Sequence, residues 1–236
     1  MHVDFRYDNQ SPRPTGPALR VMSAVLPGVR SVQRQVAPYA AAWRAANAAA
    51  LLDDAPLWVA LGDSMTQGIG ASDPQRGWVG QLRERWETEG RRYRVVNLAV
   101  TGARVQDLLD HQLPALHRLE QLGHPAALVT VLVGSNDIVS RRLRPGVEQR
   151  FEALLDRLPP GTVVGNLPNP HREVQRMDAE LRRRDHEGTL RLADFRRDGP
   201  ATWVGLVASD WFHPNDRGYA RMADVVDGAL ARGRAS

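Results

Sequence analysis

Residues 56–70 read PLWVALGDSMTQGIG. Leu57 to Leu61 is an uninterrupted apolar run, the pattern of a short parallel strand buried on both faces. It stops abruptly at Gly62-Asp63-Ser64. A strand that runs into glycine and small polar residues marks a switch from strand to loop at the carboxyl edge of a sheet. Open α/β sheets hold their ligands at that edge. A serine placed there carries its hydroxyl at the mouth of a crevice. Two readings of Ser64 stand on this stretch alone: a nucleophile, or a cap on the helix that follows.

Downstream of this stretch, apolar runs alternate with helical spacing. Strands are predicted at 93–99, 126–133, 162–167 and 190–195, and residues 126–133 (AALVTVLV) have the length and branching of a central strand. Helices are predicted at 78–86, 105–119, 147–158, 174–184 and 215–231. The βαβ series, with its right-handed crossovers, implies a parallel sheet of about five strands in a three-layer α/β/α sandwich.

Upstream, the domain boundary is placed at Pro56, with residues 1–55 as a partly helical N-terminal extension and 56–236 as the main domain. Residues 1–16 hold Pro12, Pro14 and Gly16 without a clear period and read as a loosely attached arm. Residues 18–29 are weakly apolar and broken at Pro27-Gly28. Residues 36–52 are rich in alanine and read as a helix with a Tyr39, Trp43, Leu51 stripe. Nothing polar and reactive lies there, so a scaffold helix is favoured over a lid or a dimer contact.

Composition narrows the chemistry. The chain of 236 residues has no cysteine, which removes disulfides, thiolate zinc sites and cysteine nucleophiles together. All 31 basic residues are arginine. That excludes a Schiff-base lysine, a P-loop lysine and a Ser-Lys dyad. The net charge is only +4, with arginines interleaved among acids, so no nucleic-acid stripe is expected. The runs Arg182–Arg184 and Arg196–Arg197 read as solvated faces. No apolar run approaches the roughly 20 residues of a membrane span. The start, MHVDFRYDNQ, lacks a signal peptide's basic and apolar regions, so a cytoplasmic location is expected. Oligomeric state cannot be read.

Three strands end in glycine-containing polar turns: Gly62-Asp63-Ser64, Thr101-Gly102 and Gly134-Ser135-Asn136-Asp137. In a parallel sheet all three lie on one edge. Acyl transfer by serine needs a nucleophile, a base, an orienter for the base and donors for the oxyanion. An imidazole is suited to taking and returning a proton at physiological pH, so His213 suits the base. Asp210, three residues earlier, can fold back and hold the imidazole tautomer. Pro214 is expected in the first turn of the last helix. The donors are the N–H groups of Ser64 and Gly102 and the side-chain amide of Asn136. Asp63 and Asp137 read as structural, satisfying loop N–H groups.

GDS at 62–64, Gly102, GSND at 134–137 and DWFHPN at 210–215 resemble the SGNH (GDSL-type) esterase and lipase family in order and spacing. The resemblance covers roughly residues 57–230. It maps the four residues of the family's name onto Ser64, Gly102, Asn136 and His213. It implies a flavodoxin-like sandwich that hydrolyses carboxylic esters of small molecules through an acyl-enzyme, with no metal or cofactor. Thioesterases, carbohydrate acetylesterases and acyltransferase chemistry share such a site. It says nothing of residues 1–55.

Other classes fit less well. A metal-dependent phosphoesterase would need paired histidines and an Asp-x-His set. His2, His111, His117, His124, His171 and His186 form no ligand pattern. A non-catalytic flavodoxin-like binding module would have little use for Asp210 and His213 in one turn. Gly68 and Gly70 lack a third glycine for the dinucleotide fingerprint. No G-x-S-x-G elbow of the α/β-hydrolases is present. Trp203, Trp211 and Phe212, with residues 166–172, are expected to wall the substrate site.

Overall fold

The organising element is the strand β1, Leu57–Gly62, at the second position of a five-stranded parallel sheet. The structure is a computed structural model and describes residues 5–14 and 16–232. Residues 1–4, with His2, and residues 15 and 233–236 lie outside the description. Before β1 come α1 (Pro17–Val25), α2 (Pro27–Gln33) and α3 (Val36–Ala50). After it come α4 (Ser64–Gln67), a 3₁₀ turn at Pro74–Arg76, α5 (Trp78–Thr88) and β2 (Arg94–Asn97). There follow α6 (Val105–Asp107), a π-helical turn at Leu108–Gln112, α7 (Leu113–Gln121) and β3 (Ala126–Leu132). The rest is α8 (Ser135–Val139), α9 (Val147–Leu155), β4 (Val163–Gly165), α10 (Arg172–His186), β5 (Arg191–Ala193) and α11 (Asp216–Arg232).

The strand order is β2-β1-β3-β4-β5, the flavodoxin-like doubly wound arrangement. The order reverses between β1 and β3, so a crevice opens above their carboxyl ends. Alternation along β1 feeds both faces. Leu57, Val59 and Leu61 enter one core, with Leu116, Phe151 and Met177 from α7, α9 and α10. Trp58 and Ala60 enter the other, with Trp78 and Trp86 of α5 and Tyr219 of α11. The ring of Trp58 lies 5.8 Å from Trp78 and 5.2 Å from Trp86, and its indole N–H donates to Thr130 Oγ1 at 2.9 Å. Both pairs are tilted, and aromatic pairs add about 0.5–1.5 kcal/mol each beyond simple burial.

The N-terminal extension closes the free edge of the sheet. β2 is an edge strand, and an exposed edge invites pairing with other chains. Asn47 of α3 takes the place of a neighbouring strand: its Oδ1 accepts from Asn97 N at 2.8 Å and its Nδ2 donates to Asn97 O at 2.8 Å. Asn9 donates to the carbonyls of Asn97 and Ala99 at 2.7 and 3.0 Å. The arm expected to be loose is thus docked over residues 5–14, with Asn9 fully buried. Its irregular backbone hid this: Tyr7, Asn9 and Arg13 tie it down through single polar contacts, and Phe5 and Tyr7 pack on the core without forming a periodic stripe.

Residues 18–29 resolve into two short helices split before Pro27, where the ring forbids continuing the turn. The helical stretch from residue 105 widens into a π turn just ahead of Pro114, whose missing N–H cannot bond back. The arginines of residues 182–184 are paired on the surface of α10, with Asp178 and Asp194, Glu180 and Glu187, and Asp156. Among the described residues no helix is long and apolar enough to cross a membrane.

Candidate active site

The loop after β1 is shaped by its backbone before its side chains. Gly62 has φ +154, and a Cβ there would sit 2.4 Å from the carbonyl oxygen of Leu132. Only glycine fits, which lets β1 turn sharply at the sheet edge. Gln112, presented by the π turn, satisfies both backbone groups of Gly62, accepting from its N–H and donating to its carbonyl at 2.8 Å each. Asp63 caps α4 by accepting from Met65 N at 3.0 Å. The cap is therefore Asp63 and not Ser64, which stands at the first helical position with its hydroxyl free for other contacts.

That hydroxyl meets an imidazole from the far end of the chain. Ser64 Oγ lies 2.9 Å from His213 Nε2, and His213 Nδ1 lies 2.6 Å from Asp210 Oδ2. The other carboxylate oxygen of Asp210 accepts the backbone N–H groups of Phe212 and His213 at 3.1 Å each. Burial pushes the Asp210 carboxyl up, but the His213 hydrogen bond and charge and the two backbone donors outweigh it and hold it below its ordinary value. An ionised Asp210 requires the proton on Nδ1, which leaves Nε2 as an acceptor facing the serine. Such a chain can draw a proton off the hydroxyl and return it.

Two elements fix His213. Pro214 forms an antiparallel bridge with Val207, and α11 begins only at Asp216, capped by the Asn215 side chain, which accepts from Arg217 N and Gly218 N. Pro214 therefore precedes the helix, where the sequence reading had placed it in the first turn. The asparagine cap had the stronger claim on the helix start. On the other side, Gly70 (φ +100) lies against the histidine, and a Cβ there would fall 2.7 Å from His213 Cβ.

The residues of the three expected donors are neighbours: Asn136 contacts Ala103, next to Gly102, and Asp63, next to Ser64. Among the described residues, the N–H groups of Ser64 and Gly102 donate to no other group of the chain. The Asn136 carboxamide is engaged: Nδ2 donates to Ala103 O at 2.9 Å and more weakly to Asp63 Oδ2 at 3.3 Å. Asp63 Oδ2 also accepts from Ser135 Oγ at 3.0 Å. Burial pushes the Asp63 carboxyl up to about 6, against the Met65 and Ser135 hydrogen bonds and the His213 charge, which lower it, while Asp137 raises it further. Asp137 accepts from Val105 N at 3.0 Å, and burial raises its carboxyl as well. Both acids satisfy loop N–H groups as expected, but Asp63 also ties two of the turns together.

Beside these residues opens a cavity of about 330 Å³, lined by Met65, Leu132, Leu167, Phe195 and Trp203, with Trp211 and Phe212 also in its wall.

The N-terminal extension reaches the site, and sequence reasoning missed this. Arg13 donates to Gly102 O at 3.0 Å while pairing with Asp107 at 2.6 Å. Gln35 and Tyr39 donate to Ala71 O, Gly70 N donates to Gln35 Oε1, and Trp43 Nε1 donates to Gln67 O. Each is a polar side chain meeting a loop carbonyl or N–H far away in sequence, and no local pattern announces that.

A search of curated proteins finds no match. Solved structures do resemble the chain. TesA aligns with a TM-score of 0.60 at 24% identity, covering 75% of this chain and 98% of that one. The psychrotrophic esterase EstA from Pseudoalteromonas sp., inhibited by monoethylphosphonate, aligns at 0.59 and 19%, covering 76% and 99%. The acetyl xylan esterase AlAXEase aligns at 0.54 and 18%, covering 74% and 99%. At these identities the likeness is one of fold. The family itself comes from the sequence: residues 60–221, more than half of the chain, match the model of the GDSL-like Lipase/Acylhydrolase family. The chain belongs to that family, known also as the SGNH hydrolases, and is a carboxylic ester hydrolase.

Proposed function

We propose that Ser64 is the nucleophile, His213 the general base and Asp210 the group that orients it, in hydrolysis of carboxylic esters with small or medium acyl chains. The observation that carries this reading is the unbroken series Ser64 Oγ, His213 Nε2, His213 Nδ1, Asp210 Oδ2, at 2.9 and 2.6 Å. Ser64 attacks the ester carbonyl as its proton passes to His213. The negative charge that develops on the carbonyl oxygen is met by the Ser64 and Gly102 N–H groups and the Asn136 carboxamide. His213 then protonates the leaving alcohol, and water repeats the cycle on the acyl-enzyme. Asn136 shifts its weaker hydrogen bond from Asp63 to the oxyanion during this step. Ser64 supplies the proton that leaves with the alcohol, and the attacking water returns one to it through His213.

The apolar cavity is the acyl site in this reading. About 330 Å³ lies at the lower end of the roughly 300–1,000 Å³ of small-molecule sites, which supports short and medium chains. Residues 56–236 form the hydrolase domain, and residues 1–55 an extension that braces its rim.

The test is turnover of a p-nitrophenyl ester series of rising chain length, beside acetylated sugars and acyl-CoA. A phosphonate probe, of the kind that inhibits EstA, is expected to add to Ser64 alone. Turnover by Ser64→Ala, or an adduct on another residue, would remove the assignment. A preference for acetylated sugar or acyl-CoA would reassign the substrate while keeping the site.

A further inference from the structure

The helix α1 presents its apolar face to solvent. Ser23 points inward, its hydroxyl buried without a partner, while Val21 and Val25 are 64% and 71% exposed and Met22 and Leu26 are exposed beside them. A surface helix of a globular protein buries its apolar stripe. Here α1 packs on α2 and leaves that stripe uncovered.

The place of this face matters. Leu26 leads directly into Pro27-Gly28, and the backbone of Gly28 abuts Ser209: the Ser209 hydroxyl donates to Gly28 O, and a Cβ on Gly28 would sit 2.0 Å from Ser209 O. Two residues on is Trp211, 85% exposed and held at φ +61, followed by the exposed Phe212. Both line the apolar cavity. The bare end of α1 is therefore joined to the aromatic rim of the cavity mouth. Residues 5–35 carry Arg6, Arg13, Arg20, Arg30 and Arg34 against the single acid Asp8. Among the described residues, Arg20, Arg30 and Arg34 have no carboxylate partner.

We propose that α1 and the Trp211-Phe212 turn dock on an anionic lipid surface, from which an acyl chain enters the cavity. Aliphatic and aromatic side chains flanked by arginines are the composition of an element that lies in a lipid interface. Arginine stems reach along such a surface while their charge meets the headgroups. A second copy of the chain is a poorer occupant, because a two-fold contact would set these arginines, none of them neutralised by a carboxylate, against one another. At nine residues, α1 lies on the surface and does not cross it. The proposal rests on the acyl reading of the cavity for its purpose, but docking itself is measured without turnover.

The experiment is co-sedimentation of the full chain with phosphatidylcholine vesicles, with and without phosphatidylglycerol. Binding is expected to the phosphatidylglycerol vesicles and to weaken as salt rises. Val21→Asp combined with Val25→Asp is expected to reduce binding by about 10-fold or more, since two charges then face the interface. The same variant should keep its turnover of soluble p-nitrophenyl acetate. Equal binding by wild type and variant, or no binding by either, overturns the proposal. A dimer in light scattering that the variant dissolves, without vesicle binding, assigns the face to a second copy and overturns it too. If vesicles bind but no ester is turned over, the docking surface stands and the hydrolytic assignment of Ser64 is what fails.

Discussion

The backbone of Gly70 and the side chain of His213 touch so closely that a single added methyl group at residue 70 would lie 2.7 Å from the histidine's Cβ. The loop that begins with Ser64 thus also buttresses the imidazole whose Nε2 faces it. Gly70→Ala should move His213 by a fraction of an ångström to an ångström, and the positive φ of Gly70 adds strain. The expected loss in kcat is about 10²-fold, with KM less affected. Steady-state kinetics beside a thermal melt separates misplacement from unfolding. An unchanged kcat would show that the imidazole is held by other contacts.

Removing the proposed reacting groups should leave the fold standing, since Ser64 and His213 sit at the sheet's rim and not among its packed layers. Ser64→Ala is expected to abolish p-nitrophenyl acetate turnover and phosphonate labelling while keeping the native circular dichroism spectrum. His213→Ala should come close to that, and Asp210→Asn somewhat less. Asn136→Ala should cost about 10²–10³-fold in kcat, the usual effect of losing one oxyanion donor.

Asp63 and Asp210 respond to pH in opposite directions. Asp210 is held below its ordinary value, so it contributes stability above the unfolded value, and the contribution is lost as pH falls through the folded one. Asp63 is pushed from 3.8 up to about 6. Its contribution is fully present below the unfolded value and is lost as pH rises through about 6. A shift of that size is worth about 3 kcal/mol. Chemical unfolding of the wild type and Asp63→Asn from pH 4 to pH 8 should show the stability difference moving against the wild type by that order. A gap that stays constant across this range would mean that Asp63 titrates no higher in the folded chain than in the unfolded one.

Asn47 and Arg13 test the extension separately. Asn47→Ala leaves the Asn97 N–H on the edge strand without its acceptor and takes one of the two donors from Asn97 O, Asn9 Nδ2 being the other. Each buried group left unpaired costs about 1–3 kcal/mol, so the loss is expected to show as a clear drop in the denaturation midpoint. Arg13→Ala frees Gly102 O from its donor, and its effect should fall on kcat more than on stability. If both variants behave as wild type, the extension is a passenger on the domain.

Much of this protein can be read along the chain. The five apolar runs, their alternation with helical spacing and the breaks at Gly62, Gly102 and Gly134 dictate a parallel sheet with its turns on one edge, because burial and backbone sterics act over a few neighbouring residues. Asp210 and His213 lie within one turn, so their pairing is legible too. What the chain order could not settle is everything that joins distant segments through single polar contacts. Asn47 closing the β2 edge, Arg13 reaching Gly102, Gln112 holding Gly62 and Gly70 propping His213 leave no periodic trace. A hydrogen bond has no repeat and can join residues at any separation, so tertiary packing alone chose these partners. The cap on α4 is local by contrast: Asp63 accepts from Met65 N, two residues on, and the serine that the sequence offered as a cap faces the imidazole instead.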